Sequence, residues 1–297
     1  MAVAVERVHP PSKNRRKIQK RVGTIAYYVL VVIVVAITFF PVYWMVVSTV
    51  QPTKYSTYYP PPFIPKGFNL DVFSELFSKY PIRAWIWHSV VLSLSSTVIV
   101  LLLSILGAYT ISSLRWRGRT AFAVFLLVTQ MLPEALIVVP TFKIFANFPI
   151  IHKDIRDSLF SLSLIDAAFI LPICVWILKN LYDTIPREVQ EAARVDGAGQ
   201  MRVLFEIIMP LTLPGLMAVG VVAFFSSWNE YLFAQLMITD SSLYPASVGL
   251  GQMKTMLDTP IELQLAAGLV FAVPPVVFYI VMQRYIVAGI TAGAVKG

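Results

Sequence analysis

A polar stretch between two long apolar runs reads Asp183-Thr184-Ile185-Pro186-Arg187-Glu188-Val189-Gln190-Glu191-Ala192-Ala193-Arg194-Val195-Asp196-Gly197. Pro186 suits the first turn of a helix, because its missing N–H has no intrahelical partner there, and Asp183 or Thr184 could cap that turn. We expect Gly197 and Gly199 to end the helix, since glycine readily adopts the backbone angles of a helix C-terminus.

The predicted helix is amphipathic. Val189, Ala192 and Ala193 fall on one face at i, i+3 and i+4, and charged residues line the other. A second short helix, Met201–Met209, is expected to lead to Pro210. A small helix–turn–helix between membrane spans suits docking into a groove of another protein. The pattern alone is equally typical of a solvated connector, so both interpretations stay open.

The spacing within this segment is more specific. Gly197 follows Glu191 by six residues, Ile207 follows that glycine by ten, and Pro210 comes three further on. This spacing resembles the EAA signature of ABC-importer permeases, with Met209 where the family usually has leucine. The resemblance implies a coupling helix that sits in a cleft of a cytoplasmic ATPase subunit. The coupling residues that it implies are Glu188, Glu191, Ala192, Ala193, Asp196, Gly197, Ile207 and Pro210.

The composition is that of a membrane protein. The 297 residues are 57% hydrophobic and 13% charged, with a mean hydropathy of +0.72, whereas soluble domains carry about 25% charged residues. Six apolar runs are long enough to cross about 30 Å of hydrocarbon. They are Ile25–Val50, Ile86–Leu114, Ala121–Phe142, Leu159–Leu178, Leu211–Ile238 and Leu263–Ala288.

These runs predict an all-α membrane protein, because helices satisfy their own backbone groups in lipid and the runs lack the alternation of a barrel. The expected fold is a bundle of six transmembrane helices with the coupling helix between the fourth and fifth. We divide the chain into a basic N-terminal tail (1–23), a permease domain (24–288, with the coupling loop at 183–210) and a C-terminal tail (289–297).

The basic residues predict the orientation. With the N-terminus inside, the inner segments hold sixteen Lys and Arg and the outer loops hold eight, so both termini and the coupling loop are expected in the cytoplasm. The formal net charge is +8, but the charges are spread over loops rather than gathered into a stripe with stacking aromatics. Nucleic-acid binding is therefore not indicated. The family resemblance places the protein in a prokaryotic cell membrane.

The sequence lacks the usual catalytic and metal-binding motifs. There is no Gly-x-x-x-x-Gly-Lys-Ser/Thr loop, so we expect no bound cofactor, with ATP and magnesium on a separate ATPase. Cys174 is the single cysteine, and His9, His88 and His152 are isolated, which makes a metal site unexpected. The resemblance implies a second permease subunit, two ABC ATPase subunits and an extracytoplasmic sugar-binding protein as partners.

Polar residues inside the predicted spans are candidates for a substrate pathway. Glu134 lies within the third span and Trp228-Asn229-Glu230-Tyr231 within the fifth. Sugars need paired hydrogen bonds and aromatic faces for their C–H groups. The same residues could instead bond to one another between helices. Asp166 is expected nearer the outer interface, in structural capping or pairing.

The C-terminal run resembles one branch of this permease family. The run Gly289-Ile290-Thr291-Ala292-Gly293-Ala294-Val295-Lys296-Gly297 resembles the terminus of maltose-type carbohydrate permeases. In those proteins the tail reaches the ATPase dimer, which implies contacts by Gly293, Val295, Lys296 and Gly297. A glycine-rich flexible tail is the simpler interpretation.

Two other functions compete with this interpretation. An ion-gradient-driven secondary transporter would use Glu134 and Glu230 as proton or cation groups, but no clear internal repeat is present. An intramembrane hydrolase would need a catalytic constellation that the sequence lacks.

Overall fold

The computed structural model describes residues 13–52, 62–148, 154–255 and 259–294. The chain divides into two compact units, Met1–Val72 and Phe73–Gly297. Regular structure in the described residues is helical. The helices are α1 Lys13–Val50, α2 Asp71–Lys79, α3 Ile82–Ser112, α4 Arg119–Thr129, α5 Glu134–Ala146, α6 Leu159–Tyr182, α7 Arg187–Val195, α8 Gln200–Leu211, α9 Leu213–Trp228, α10 Leu232–Met237, α11 Ala246–Thr255 and α12 Ile261–Ala294.

Four helical segments among the described residues are long and apolar enough to cross a membrane. They are Lys20–Val50, Ile82–Ser112, Leu159–Tyr182 and Ile261–Tyr285. Two further spans arise only if each of two bent helix pairs counts as one, namely α4 with α5, bent by 98°, and α8 with α9, bent by 83°. The chain is therefore a multi-pass membrane protein with four clear spans and up to six.

The predicted third and fifth spans are not single helices. Pro133 separates α4 from α5 in an extended conformation (φ −65°, ψ 131°), because proline has no N–H and disfavours a helical residue before it. The predicted Leu211–Ile238 run is divided into α9 and α10 by Asn229–Tyr231. Prolines within the third span predict kinks; the structure has a sharp break instead.

The first unit consists mainly of α1, which begins inside the segment predicted as a basic tail. Its apolar window, within Lys20–Val50, has no buried residue. Near its end the Tyr43 hydroxyl donates to the Phe63 carbonyl at 2.6 Å, and the Trp44 ring meets the Phe63 ring edge-on with centroids 5.5 Å apart. An apolar helix exposed on all sides requires lipid or a partner subunit around it.

The core of the second unit is formed where α3 packs against α6 and α9. Ser93, Ser96 and Ser104 of α3 are completely buried, and small residues of this kind let helix backbones approach closely in a membrane. Packing is equally close near the start of α3, where a Cβ atom added to Gly249 of α11 would lie 2.3 Å from the Trp85 ring. Close packing of these helices fixes the positions of the polar segments at both ends of the bundle.

Candidate functional site

The helix predicted in the polar segment is present as α7. It begins at Arg187, one residue later than predicted, and Pro186 is its N-cap, with no side-chain capping bond. The predicted cap was wrong, because Asp183 is engaged elsewhere. Its carboxylate accepts hydrogen bonds from the Ser112 hydroxyl and from Lys179, each at 2.5 Å, which ties the start of the segment to the ends of α3 and α6.

Gly197 ends α7 as predicted. Its φ of +85° lies in the left-handed region. Its N–H donates to the Arg194 carbonyl at 3.0 Å, and the Ala198 N–H donates to the Ala193 carbonyl at 2.9 Å. This bond pattern is a Schellman motif, which satisfies the last carbonyls of the helix. Gly199 does not share this role, because its φ of −68° is ordinary and it is the N-cap of α8.

The face that α7 turns inward differs from the predicted apolar face. Gln190 and Ala193 are buried, whereas Val189 and Ala192 are exposed, and Val195 is 87% exposed. The exposed surface of α7 therefore combines small and apolar side chains with the carboxylates of Glu188, Glu191 and Asp196. It is the kind of mixed surface that protein interfaces bury.

Helix α8 anchors this exposed helix. Its Val203–Ile208 stretch has π-helical geometry, and Val203, Leu204 and Ile208 are completely buried in the main core cluster. Ile207 packs partly buried against the same cluster. Pro210 follows at the end of α8 and cannot donate an i−4 backbone bond. The predicted coupling residues thus lie on one continuous segment with a buried base and an exposed end.

A second group of polar residues surrounds the break between α4 and α5. A pocket of about 120 Å³ is lined there by Gln130, Glu134, Asp166, Ser226 and Glu230, together with apolar side chains. Glu134 and Glu230, both candidates from the sequence, are brought together with Asp166. The pocket offers carboxyl and amide oxygens, which accept hydrogen bonds from hydroxyl groups.

Asp166 forms the structural pair that was expected for it. Its side chain is buried, and one carboxyl oxygen accepts from the Ser227 hydroxyl at 2.5 Å. The other oxygen, Oδ1, has no hydrogen-bond partner among the described residues. A buried polar atom without a protein partner is costly, so this oxygen is available to a group that enters the pocket.

Glu230 has a structural role that sequence reasoning missed. Its Oε1 accepts from the Phe233 N–H at 2.6 Å and so caps α10, a helix too short to have been predicted. Asn229 donates from its side chain to the Phe225 carbonyl at 2.8 Å. A carboxylate three residues before a backbone donor is the sequence signal for such a cap.

Two of the proposed aromatic pathway residues do not line the pocket. Trp228 is 1% exposed and stacks between Phe224 and Phe271, with centroids 5.8 and 5.1 Å away. Tyr231 is half exposed, and its ring lies against Gly251, where an added Cβ would be 2.6 Å from it. Both aromatics contribute packing between helices in this structure.

Asp157 was also missed by sequence reasoning. It has a positive φ of 51° and accepts bonds from the Thr239 N–H at 2.5 Å, the Thr239 hydroxyl at 2.7 Å and the Asp240 N–H at 2.9 Å. Burial raises the pKa of Asp157, but these donors lower it by more, so the pKa lies below its ordinary value. This carboxylate fastens the loop before α6 to the end of α10.

The remaining site predictions concern metals and the C-terminus. Among the described residues, no group of three His, Cys, Asp or Glu could hold a metal ion. Gly293 lies within α12, which continues to Ala294, while Val295, Lys296 and Gly297 lie outside the described residues.

Comparisons with known proteins agree on one family. Residues 100–292 match the model of the binding-protein-dependent transport system inner membrane component. The inner membrane ABC transporter permease protein YcjP of Escherichia coli is 33% identical, covering 94% of this chain and 99% of that protein. The trehalose/maltose transport system permease protein MalG of Thermococcus litoralis is 28% identical, covering 95% and 99%.

A solved structure has the same fold. A chain of a bacterial ABC transporter that imports the acidic polysaccharide alginate matches with a TM-score of 0.75 and 19% identity, covering 94% of this chain and 99% of that chain. The resemblance to maltose-type permeases noted from the EAA spacing and the C-terminus is confirmed by these relatives.

Proposed function

The chain belongs to the family of binding-protein-dependent transport system inner membrane components, and we propose that it is the permease subunit of an ATP-driven carbohydrate importer. It forms half of the translocation pathway, beside a second permease subunit. Two ABC ATPase subunits and an extracytoplasmic sugar-binding protein complete the assembly. The protein itself is not an enzyme in this proposal, and ATP with magnesium belongs to the ATPases.

The observation that carries this proposal is the exposed surface of α7. Val189, Ala192 and Val195 are exposed in a polar segment, and the carboxylates of Glu188 and Glu191 flank them without an ion pair to any described residue. Small side chains allow close approach to a groove, and charged groups at the rim select the partner. Docking to an ATPase subunit would bury this surface.

The path from α7 into the membrane is direct. α7 follows α6 after the short link 183–186, in which Asp183 bonds to Ser112 of α3, and it is connected to α9 through the buried base of α8. Closure of the ATPase dimer would push α7 and shift these helices between inward-facing and outward-facing arrangements. Nucleotide and sugar then act by their different affinities for the two states.

The orientation follows from the distribution of positive charge. Sixteen Lys and Arg lie in the segments assigned to the inside and eight in those assigned to the outside, so α7 and both termini are cytoplasmic. The C-terminal residues Gly293, Val295, Lys296 and Gly297 are proposed to contact the ATPases from this side.

A carbohydrate substrate is supported by a relative named for trehalose and maltose transport and by the pocket at Glu134, Asp166 and Glu230. Carboxyl oxygens accept hydrogen bonds from sugar hydroxyls. Glu134 and Glu230 are the pathway residues that we retain, whereas Trp228, Asn229 and Tyr231 act through packing and local structure. The ion-driven alternative is not favoured, because the relatives are subunits of ABC transporters.

Glu191→Lys tests the coupling role. We expect ATP-dependent uptake to fall by about tenfold or more, since reversing a charge at an interface costs several kcal/mol, with the amount of protein in the membrane unchanged. Glu75→Lys is the control, because it makes the same charge change on an exposed carboxylate of α2 in the predicted outer loop, where loss of the surface ion pair with Lys79 costs little. Normal uptake by Glu191→Lys at a normal membrane level would contradict the proposal.

A further inference from the structure

A large pocket lies beside α7, at the ends of α3, α4 and α6. Its volume is about 780 Å³, a size typical of ligand sites. It is separate from the pocket at Glu134. Its walls come from the turn between α3 and α4, from the last turns of α6 and from the side of α7 that carries Arg187, Glu191 and Arg194.

The pocket is lined by an excess of positive charge. Five basic residues contribute to it, Arg115, Arg119, Lys179, Arg187 and Arg194, against two acidic residues, Asp183 and Glu191. Lys179 is paired with Asp183. The four arginines form no ion pair with any described residue, so their positive charge is available to an anion.

One wall of the pocket is apolar and leads onto the outer surface of α4. Ala123, Val124 and Trp176 line that wall, and beyond them Phe125 and Val128 of α4 are 60% and 51% exposed. A soluble anion or an acidic peptide would make no use of this surface. An acyl chain would lie along it.

The pocket also lies where the apolar helices end, which is the expected level of lipid headgroups. α3 ends at Ser112, α4 begins at Arg119 and α6 ends at Tyr182, so the apolar segments stop at its walls. Trp176, whose ring is 5.3 Å from the Lys179 ammonium, is an aromatic of the type that marks a membrane interface. Unpaired arginines above an apolar wall match a ligand with an anionic head and a hydrocarbon tail.

We propose that this pocket binds the phosphate headgroup of an anionic phospholipid from the adjacent leaflet. Arg115 and Arg119 bind the phosphate oxygens, and the acyl chains follow α4 past Val124 and Phe125. Basic pockets between transmembrane helices on the cytoplasmic side hold such headgroups. Because the pocket touches α7, lipid bound there lies directly against the segment proposed to contact the ATPase.

The test uses the full chain purified with the subunits that assemble with it, in nanodiscs of phosphatidylcholine mixed with phosphatidylglycerol. Retained phosphatidylglycerol is counted by native mass spectrometry. We expect Arg115→Gln/Arg119→Gln to weaken retention by about fivefold for each arginine, or roughly 25-fold together. Arg117→Gln, in the same turn but outside the pocket, is the matched control and should change retention less than about twofold, because exposed charge pairs contribute little.

Three outcomes would overturn the proposal. Equal retention by the double variant and the Arg117→Gln control would show that these arginines do not hold lipid. Displacement of the lipid by inorganic phosphate would show that the site takes a free anion. Loss of the ATPase subunits from the double variant, with lipid retention unchanged, would assign the pocket to the protein interface. Each outcome is read from the mass of the complex and the lipid and subunits bound to it, so none depends on sugar uptake.

Discussion

Two polar regions of the bundle, the helix α7 and the segment between α9 and α10, differ in whether their polar groups are bonded within the chain. Along α7 the carboxylates of Glu188 and Glu191 are exposed and unpaired among the described residues. Near the end of α9, the buried Asp166 of α6 bonds to Ser227, and the half-buried Glu230 caps α10. The sequence alone does not distinguish the two regions, since each has acidic residues in or next to a long apolar run.

The difference indicates that the exposed groups of α7 form a surface for a partner, whereas the bonded groups near α10 stabilise the bundle. Groups already bonded within the chain lose stability when one of them is removed, because their partners stay buried and unsatisfied. Exposed groups contribute little to stability. Substitutions in α7 should therefore change transport without unfolding the protein, and substitutions around α10 should change stability first.

The largest effect is expected from Gly197→Pro. Proline fixes φ near −65° and cannot adopt the +85° that Gly197 has, and it also removes the N–H that bonds to Arg194. The Schellman motif is lost and α7 is redirected. We expect uptake to fall by about a hundredfold, the effect of truncating one central residue of a protein interface, while the protein still inserts in the membrane.

Gly197→Asn sharpens that experiment, because asparagine tolerates the left-handed region and no atom lies within 4 Å of an added Cβ there. Uptake by the asparagine variant should stay within a few-fold of the original protein. If both variants transport normally, the geometry at the end of α7 has no part in coupling.

Glu230→Ala should have an intermediate effect, on stability. Removing the carboxylate leaves the Phe233 N–H at the start of α10 without its acceptor, which costs about 1–3 kcal/mol. Glu230→Gln keeps an oxygen acceptor and should lose about half as much. Thermal unfolding in detergent measures both, and an alanine variant as stable as the original would show that the cap is dispensable.

The smallest effect is expected at Asp157 and depends on pH. Because its pKa is lowered in the folded protein, its contribution to stability is present above the ordinary aspartate pKa of about 3.9 and is lost as the pH falls through the folded pKa. Asp157→Asn tolerates the positive φ but cannot ionise. The difference in melting temperature between the two proteins should shrink below about pH 4, and a constant difference would contradict the assignment.

Much of the fold could be predicted from the apolar runs. The four long spans follow from hydropathy, the helix in the polar segment follows from Pro186 and its helical spacing, and the end of α7 follows from Gly197. The breaks within the predicted third and fifth spans were harder to predict. Pro133 indicated a kink, but the 98° bend depends on how α4 and α5 pack. The inward face of α7 could not be predicted from its apolar spacing, because Gln190 is buried by tertiary contacts that outweigh its polarity.

The candidate sites were predicted only in part. Glu134 and Glu230 were found because charge inside a span is rare, and the pocket brings them together. Trp228 was assigned to the pathway from its residue type, whereas Phe271, more than forty positions away, completes the aromatic stack that buries it. Asp157 and Thr239 are distant in the sequence, and no local pattern predicts their contact.

The most direct test of the account is the identity of the protein that contacts α7. Cys174 is buried, so Ala192→Cys provides a single accessible thiol for a photoactivated cross-linker in native membranes, and Glu75→Cys on α2 provides the control. Position 192 should capture a nucleotide-binding ATPase subunit, and position 75 should not. Capture at position 192 of other proteins alone, in membranes where the ATPase is bound to the complex, would contradict this expectation.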